Sequence, residues 1–596
     1  MIVFLTSLPV VWGLLFTRRA SAGDEANYFT AGRDLPWWAV GISNTATYHG
    51  GAAPFVMLIF MFGFAGNWLW WPQWIIWMPL VAVIWARMWR RLNIVTTAEL
   101  IVVRYGGRPA RLARRVYALA MFCFAVILTA YTTVFFAKAI YPLMPLSVLW
   151  ILLIFGSTTV LYTIFGGLIG SVMASVVQTA IFVLGGLLAV AILIPQFGGW
   201  DQILARVDAL RPGTLSLNPV SETVPPLTML MFIVLGLFFA GSPTAGEGFT
   251  AQRFMSARNE RHAMGGQLLN ALLSLSLRMM PIIPLGILAM ALFWHANLVE
   301  RLGSAPAGVK MLADPVHAWG ELLKAGAFPP GIVGLLVATE IAAYVSSLSA
   351  FINWGSSFIV NDLYKDIFPR TSARRDVMVS RVTSLVMFLL SAFVAVLYVD
   401  NMVSWFLFIN SIMVIFWLPL AYFRFFWSRF NVWGELAASV LGLPLSILIW
   451  FVLGLSDSSR YPFWLASGTL FLTAVLVIAA VTLLTPPESE ETLTKFYQRC
   501  RPLAGWRRFR RQMLLPPGDN PPLRHLVFDS ALGMAACFGL VMATNALFAG
   551  RWMVLVLALA AAVGFGTWMI RRSLGSSSSS AGQSNQQKAG VLESKP

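Results

Sequence analysis

The sequence predicts an all-α integral membrane protein arranged as an inverted repeat of five plus five helices, with one extra helix before the repeat and about four after it. Three observations predict it. The 596-residue chain is 58% hydrophobic and 11% charged, with its apolar residues gathered in long runs. A soluble protein would carry about a quarter charged residues, and apolar runs of about 20 residues are the length that crosses the hydrocarbon layer as a helix. An outer-membrane barrel would show weak alternation instead. Second, Arg and Lys concentrate at 87–115, 253–261, 365–381 and 495–511, always between apolar runs, as the positive-inside rule requires of cytoplasmic loops. Third, two apolar runs are interrupted at corresponding positions of the two halves. The net charge of +17 is then mainly an orientation signal, with a minor share left for anionic lipid. No nucleic-acid partner is expected.

Taken in order, helices are expected near 2–16, 37–65, 68–87, 113–140, 147–165, 170–195, 225–247, 263–293, 328–361, 380–399, 402–424, 435–455, 463–485, 527–547 and 551–570. The first has no basic n-region and no small-residue cleavage site, and Arg18-Arg19 follow it. It reads as an uncleaved helix with the N-terminus outside and not as a signal peptide. Every strongly basic loop then falls on the cytoplasmic side, and the C-terminus is cytoplasmic. The outer loops 196–224 and 294–327 carry only Arg206, Arg211, Arg301, Lys310 and Lys324 as basic residues. The expected divisions are a peripheral helix in 1–19, a first repeat over 20–196, an inverted second repeat over 225–424, and two further helices over 425–485. A basic cytoplasmic linker over 486–526 with a short amphipathic helix follows, then two last helices over 527–572. The Ser- and Gln-rich tail 573–596 is expected to be disordered.

The first interrupted run holds Ser43-Asn44-Thr45-Ala46-Thr47-Tyr48-His49-Gly50-Gly51-Ala52-Ala53-Pro54 at its middle. Two glycines and a proline at membrane depth free backbone carbonyls, so the segment should line an enclosed cavity, unless it is a simple kink. The second ends in Gly241-Ser242-Pro243-Thr244-Ala245-Gly246-Glu247-Gly248. Broken helices five apart point to a transporter with binding at the midplane. The span 328–361 contains Ala342-Ala343-Tyr344-Val345-Ser346-Ser347-Leu348-Ser349. Its serines either bond back to the preceding turn or face a hard monovalent cation. The three cysteines (Cys123, Cys500, Cys537) and five histidines (His49, His262, His295, His317, His525) form no ligand cluster or triad. No catalytic constellation is present, so no enzyme and no cofactor are expected.

At this point the motifs become specific. Tyr28-Phe29-Thr30-Ala31-Gly32-Arg33-Asp34-Leu35-Pro36-Trp37-Trp38 resembles the approach to the first core helix of the sodium/solute symporter family. Gly166-Gly167 with Gln178, Gln252-Arg253, Val345-Ser346-Ser347-Leu348, Asn353-Trp354-Gly355-Ser356-Ser357, Asn361-Asp362-Leu363-Tyr364 and Arg429-Phe430-Asn431-Val432-Trp433-Gly434-Glu435 follow in the family's order. Further runs, including Gly66-Asn67-Trp68-Leu69-Trp70-Trp71, look like an orphan bacterial branch related to sodium-coupled sugar, proline and sialic-acid carriers. The resemblance implies a leucine-transporter-like fold in a bacterial inner membrane and a sodium site. Position by position, that site falls on the carbonyls of Ala46, His49 and Ala343 and the hydroxyls of Ser346 and Ser347. Five oxygen donors suit a hard cation.

Departures from the family pattern bear on the solute. Met173-Ala174-Ser175 stands where many members have Trp-Thr-Asp, so a second sodium ion is not expected. Leu69 and Ala53 are apolar where sugar carriers place polar groups, which argues against sugar. The candidate solute contacts are Thr47, Tyr48, Gly50, Gly51, Glu247, Arg278, Glu340 and Asn410. Ionisable residues at membrane depth are functional or paired unless they snorkel. An Arg278 free for two-point contact favours an amino acid or carboxylate. The expected function is sodium-coupled uptake of a small polar organic solute. Proton coupling through Glu340 or Glu247, and a solute sensor signalling through 486–526, remain as alternatives. The sequence does not specify an oligomeric state.

Overall fold

The computed structural model describes Ser7, Val11, Trp12, Leu15 and residues 25–592 other than 48–50, 222–223, 295–314, 325–327, 398–408, 410–413, 456–459 and 515–520. The expected helix 2–16 therefore lies almost wholly outside the described residues, as does most of 402–424. Among the described residues nine helices are long and apolar enough to cross a bilayer.

The first broken helix gives α1 (Trp37–Thr47) and α2 (Ala53–Phe62). The tryptophan-rich α3 (Trp71–Leu80) runs through a π-turn into Ala86–Leu92. A short helix, α4 (Glu99–Arg104), precedes the long α5 (Gly107–Ile140). The next element, α6 (Val148–Gln196), is a single 49-residue helical run. At 1.5 Å per residue it is about 70 Å long, more than twice the hydrocarbon thickness. It is kinked at Gly167, whose φ of 55° and ψ of −153° interrupt the helix. The two expected spans 147–165 and 170–195 are thus its two arms, joined without a loop. A Cβ at Gly167 would come within 2.9 Å of the Tyr28 carbonyl, so the bend and the close approach both require glycine there.

The second broken helix gives α7 (Pro226–Phe238), a tight turn over Phe239–Gly241, and α8 (Phe249–Met255). Then come α9 (Glu260–Phe293), α10 (Pro330–Ile367) and α11 (Ala373–Leu397). The remaining helices are α12 (Leu420–Phe426), α13 (Val432–Val452), α14 (Phe463–Leu484), the short pair α15 (Glu490–Cys500) and α16 (Arg507–Gln512), α17 (Leu523–Phe548) and α18 (Trp552–Leu592). The tail expected to be disordered from 573 is helical in its backbone to Leu592. It continues from a formed membrane helix and holds no proline before Pro596, so extending it requires no new nucleation.

The core is centred on α10, which is buried along nearly its whole length and packs against α5, α6 and α1. α9 lies along α1, and α16's neighbour α17 packs on α3 and on the middle of α9. The linker is a folded strap. Leu493, Phe496, Tyr497 and Cys500 make one buried face of α15, spaced as an amphipathic helix demands, and that face meets protein. Arg104 anchors the strap from below. Its guanidinium donates to the carbonyls of Arg424, Trp427, Ser428 and Phe430 at 3.1–3.3 Å and lies 5.1 Å and 4.9 Å from the rings of Phe496 and Trp506.

Candidate ion and solute site

A broken helix leaves orphan carbonyls at the end of its first half and orphan N–H groups at the start of its second. Here two charged side chains meet them. The Glu340 carboxylate accepts the N–H of Ala52 at 2.8 Å and of Ala53 at 3.3 Å, at the N-terminus of α2. The Arg278 guanidinium donates to the carbonyls of Thr45 at 3.3 Å and Gly51 at 3.1 Å, and stands over the rings of Phe55 and Phe182. Each charge therefore sits at the helix end whose dipole favours it. Both side chains are buried, and their charges attract across the gap. Gly51 has φ +126°, and a Cβ there would fall 2.1 Å from a Glu340 carboxylate oxygen.

Arg278 reaches the break because α9 is re-aimed just before it. Residues Leu273–Leu277 form a π-turn, closed by the bond from the Arg278 N–H to the Leu273 carbonyl at 2.8 Å. Such turns inside a helix commonly mark functional sites. The Ser276 hydroxyl accepts from Thr544 of α17 at 3.0 Å, tying the C-terminal hairpin to this turn.

On the other side of the break, Ala46, Ala343 and Ser346 line one cavity together with Thr45, Gln178 and Arg278. Its volume of about 20 Å³ is the space of one water or one small ion. The Ser347 hydroxyl lies 3.2 Å from the Thr47 carbonyl and 3.1 Å from the Ala343 carbonyl, bridging α10 to the end of α1. Ser346 pairs with Ser175 at 2.9 Å, hydroxyl to hydroxyl. Carbonyls and hydroxyls at a helix end are hard neutral donors and fit a hard monovalent cation. Three of the five sequence-derived ligand candidates thus line this cavity, and a fourth, Ser347, adjoins it through the Ala343 carbonyl. The fifth, His49, and the solute candidates Tyr48, Gly50 and Asn410 lie outside the described residues.

Glu340, Arg278 and Gly51 meet at the break, but two other candidates are otherwise engaged. The Thr47 hydroxyl donates to the Ser43 carbonyl at 2.8 Å and accepts from Arg253 at 2.9 Å. Arg253 also donates to the Ser43 hydroxyl at 2.7 Å, so α8 holds the first broken helix through this one guanidinium. Glu247 does not join Arg278 or Glu340. It accepts from the Tyr117 hydroxyl at 2.5 Å and from Arg424, which also grips Glu435 through two nitrogens. The charge that meets the second break is thus Arg424 of α12. In the sequence Gln252-Arg253 and Gln178 stand out only as motif residues, and nothing singles out Arg424, because an arginine ending an apolar span looks like a loop anchor.

Comparison with known proteins extends this picture. The model of the family described as "Sodium:solute symporter family" matches residues 28–442. A sodium/glucose cotransporter 4 of Danio rerio is 26% identical over 535 residues, covering 81% of this chain and 78% of that protein. A sodium/myo-inositol cotransporter 2 of Sus scrofa is 28% identical, covering 75% and 68%. A sodium/mannose cotransporter of Bos taurus is 26% identical, covering 74% and 77%. Among solved structures, the substrate-bound, outward-open state of a Na⁺-coupled sialic acid symporter superposes with a TM-score of 0.61 at 18% identity, over 82% of this chain and 98% of that one. The fold is therefore the leucine-transporter-like inverted repeat.

Proposed function

Because the chain belongs to the sodium:solute symporter family, a family of multi-pass membrane transporters and not enzymes, we propose that it imports one small, uncharged, hydroxyl-bearing solute with one sodium ion by alternating access. The observation that carries this reading is the joint between α1 and α10, where Ser347 bridges to the Thr47 carbonyl beside the cavity lined by Ala46, Ala343 and Ser346. Sodium bound there would pull the end of α1 onto α10, and its loss would free α1 to swing. Ser175 offers a hydroxyl where a second ion would require a carboxylate. Because Ser175 already pairs with Ser346, a second cation there would sit close to the first, and a neutral hydroxyl does not offset the repulsion between two buried like charges.

The solute assignment departs from the expectation of a carboxylate. That expectation needs Arg278 free for two-point contact, and Arg278 is engaged with two backbone carbonyls. The positive end of the half-helix, which could hold a substrate anion, already holds the protein's own carboxylate, Glu340. With both charges spent on the backbone, hydroxyl groups are the better match. The relatives named for glucose, myo-inositol and mannose favour the same class. Proton coupling would run through Glu340, but protonation would cost it one of the two oxygens now accepting backbone N–H groups.

Uptake into proteoliposomes tests the whole reading, with a panel of polyols, sugars, amino acids and carboxylates under a sodium gradient, a proton gradient or neither. Sodium-driven accumulation of a neutral polyol or sugar is expected. Accumulation of a carboxylate alone would overturn the solute class, and proton-driven uptake without sodium would overturn the coupling ion.

A further inference from the structure

On the loops of the repeat four arginines are matched by carboxylates: Arg91 with Glu260 at 2.8 Å, Arg114 with Asp362 at 2.7 Å, Arg115 with Asp366 at 2.5 Å, and Arg258 with Asp34 at 2.7 Å. Others, such as Arg108, Arg111 and Arg374, have no such partner among the described residues and lie scattered along the chain. The linker differs in concentrating unmatched arginines on one short helix. On α16, Arg507, Arg508, Arg510 and Arg511 have neither carboxylate nor carbonyl partner among the described residues, and the same holds for Arg524 at the start of α17 and Arg571 near the end of the α18 span.

Nor is this cluster a loose tail. The Trp506 indole donates to the Phe425 carbonyl at 2.8 Å, and buried Phe509 packs edge-on against Trp506 at 5.6 Å. These two rings face α16 inward and leave Arg507, Arg508 and Arg511 exposed. The cluster also lies close to the bilayer by connectivity. The chain leaves the membrane at Leu484 and returns at Leu523. Bare apolar side chains flank these arginines along the chain: Leu514 follows α16 and is 90% exposed, and Leu523, Val527 and Phe528, near Arg524, are also exposed. A soluble polyanion would have no use for those residues, whereas a lipid has a phosphate for the arginines and chains for the leucines.

We propose that α16, with Arg524 and Arg571, is a binding surface for anionic phospholipid headgroups of the leaflet beside the linker. Guanidinium groups match phosphate in a planar two-point contact. Because Trp506 stacks on Arg104, lipid held on α16 would also hold the strap against the transport core.

The test uses the full-length protein in neutral detergent, titrated with phosphatidylglycerol or phosphatidylcholine, with retained lipids counted by native mass spectrometry. The parent should retain phosphatidylglycerol selectively and lose it as salt rises. Arg→Gln at 507, 508, 510 and 511 together should weaken apparent affinity at least about tenfold, and Arg→Lys at the same positions should fall between parent and glutamine variant, since an ammonium keeps the charge but loses the planar contact. If the fourfold glutamine variant does not fold, R507Q/R508Q and R510Q/R511Q are judged by the same criterion. Equal phosphatidylglycerol retention by parent and glutamine variants would overturn the proposal. So would inorganic phosphate displacing the lipid completely, because that would assign the surface to a soluble anion.

Discussion

Ser347 has one hydroxyl proton and two carbonyls within reach, Thr47 at 3.2 Å and Ala343 at 3.1 Å. Its proton can serve only one of them at a time, while its oxygen lone pairs remain free for a cation. A lone helix hydroxyl contributes about 1 kcal/mol or less to folding in a membrane. Ser347→Ala should therefore fold normally and raise the half-saturation for sodium by about tenfold, an energy near that of one ion contact. An unchanged sodium half-saturation would remove this serine from the site. Arg278 behaves differently, since it is both an end-cap for α1 and the countercharge of Glu340. Breaking a buried pair by removing one partner costs about 3–5 kcal/mol, so Arg278→Gln should lower the yield of monodisperse protein and its melting temperature. Adding Glu340→Gln should recover part of that loss, because the uncompensated carboxylate disappears. A well-expressed Arg278→Gln protein with parental transport would mean that the cap is dispensable.

At the scale of the element, the hinge between α1 and α2 depends on space as well as charge. Gly51→Ala would add a methyl 2.1 Å from a Glu340 oxygen in a backbone region that alanine rarely adopts. Glu340 would have to leave the Ala52 and Ala53 N–H groups. We expect loss of most transport with surviving sodium-dependent stabilisation, measured as the thermal shift on adding sodium in place of potassium. Much of this element was legible beforehand. Glycines and a proline in an apolar run announce a break, and hydrophobic run length places α5, α9, α13 and α17 within a few residues. What composition does not encode is which distant charge meets which. Glu247 and Arg278 are both ionisable at membrane depth, yet each found a partner set by the tertiary route of the chain, Arg424 for one and the broken helix ends for the other. The π-turn that aims Arg278 was equally hidden, because π- and α-helical turns use the same residues.

For the whole molecule, stoichiometry and the strap carry the predictions. Reversal potentials in proteoliposomes should report one sodium ion per solute, given Ser175 at the second position, and a value of two would require a different counter-ligand. The strap has its own reporter. Cys500 is fully buried on α15, and burial pushes its thiol up to about 12. Since the thiolate is the reactive form, Cys500 should resist maleimide at pH 7–8, and its labelling should rise only as pH approaches 12. Trp506→Ala removes the ring between α16 and Arg104 and should expose Cys500 to labelling near neutral pH. The background is set by Cys123, the exposed cysteine.

The strap also imposes an order on biosynthesis. Arg91 and the Arg501 carbonyl that accepts from it are 410 residues apart, and Arg104 waits for the carbonyls of 424–430 as well as for Trp506. At about 5–20 residues per second, the ribosome needs on the order of 20–80 s to supply the second partner after the first. During that interval this face of the nascent repeat carries arginines without their acceptors. Premature release of a truncated chain would leave this face unsealed, a ready mark for quality-control proteolysis, and only a ribosome that has passed residue 506 makes a molecule that can close.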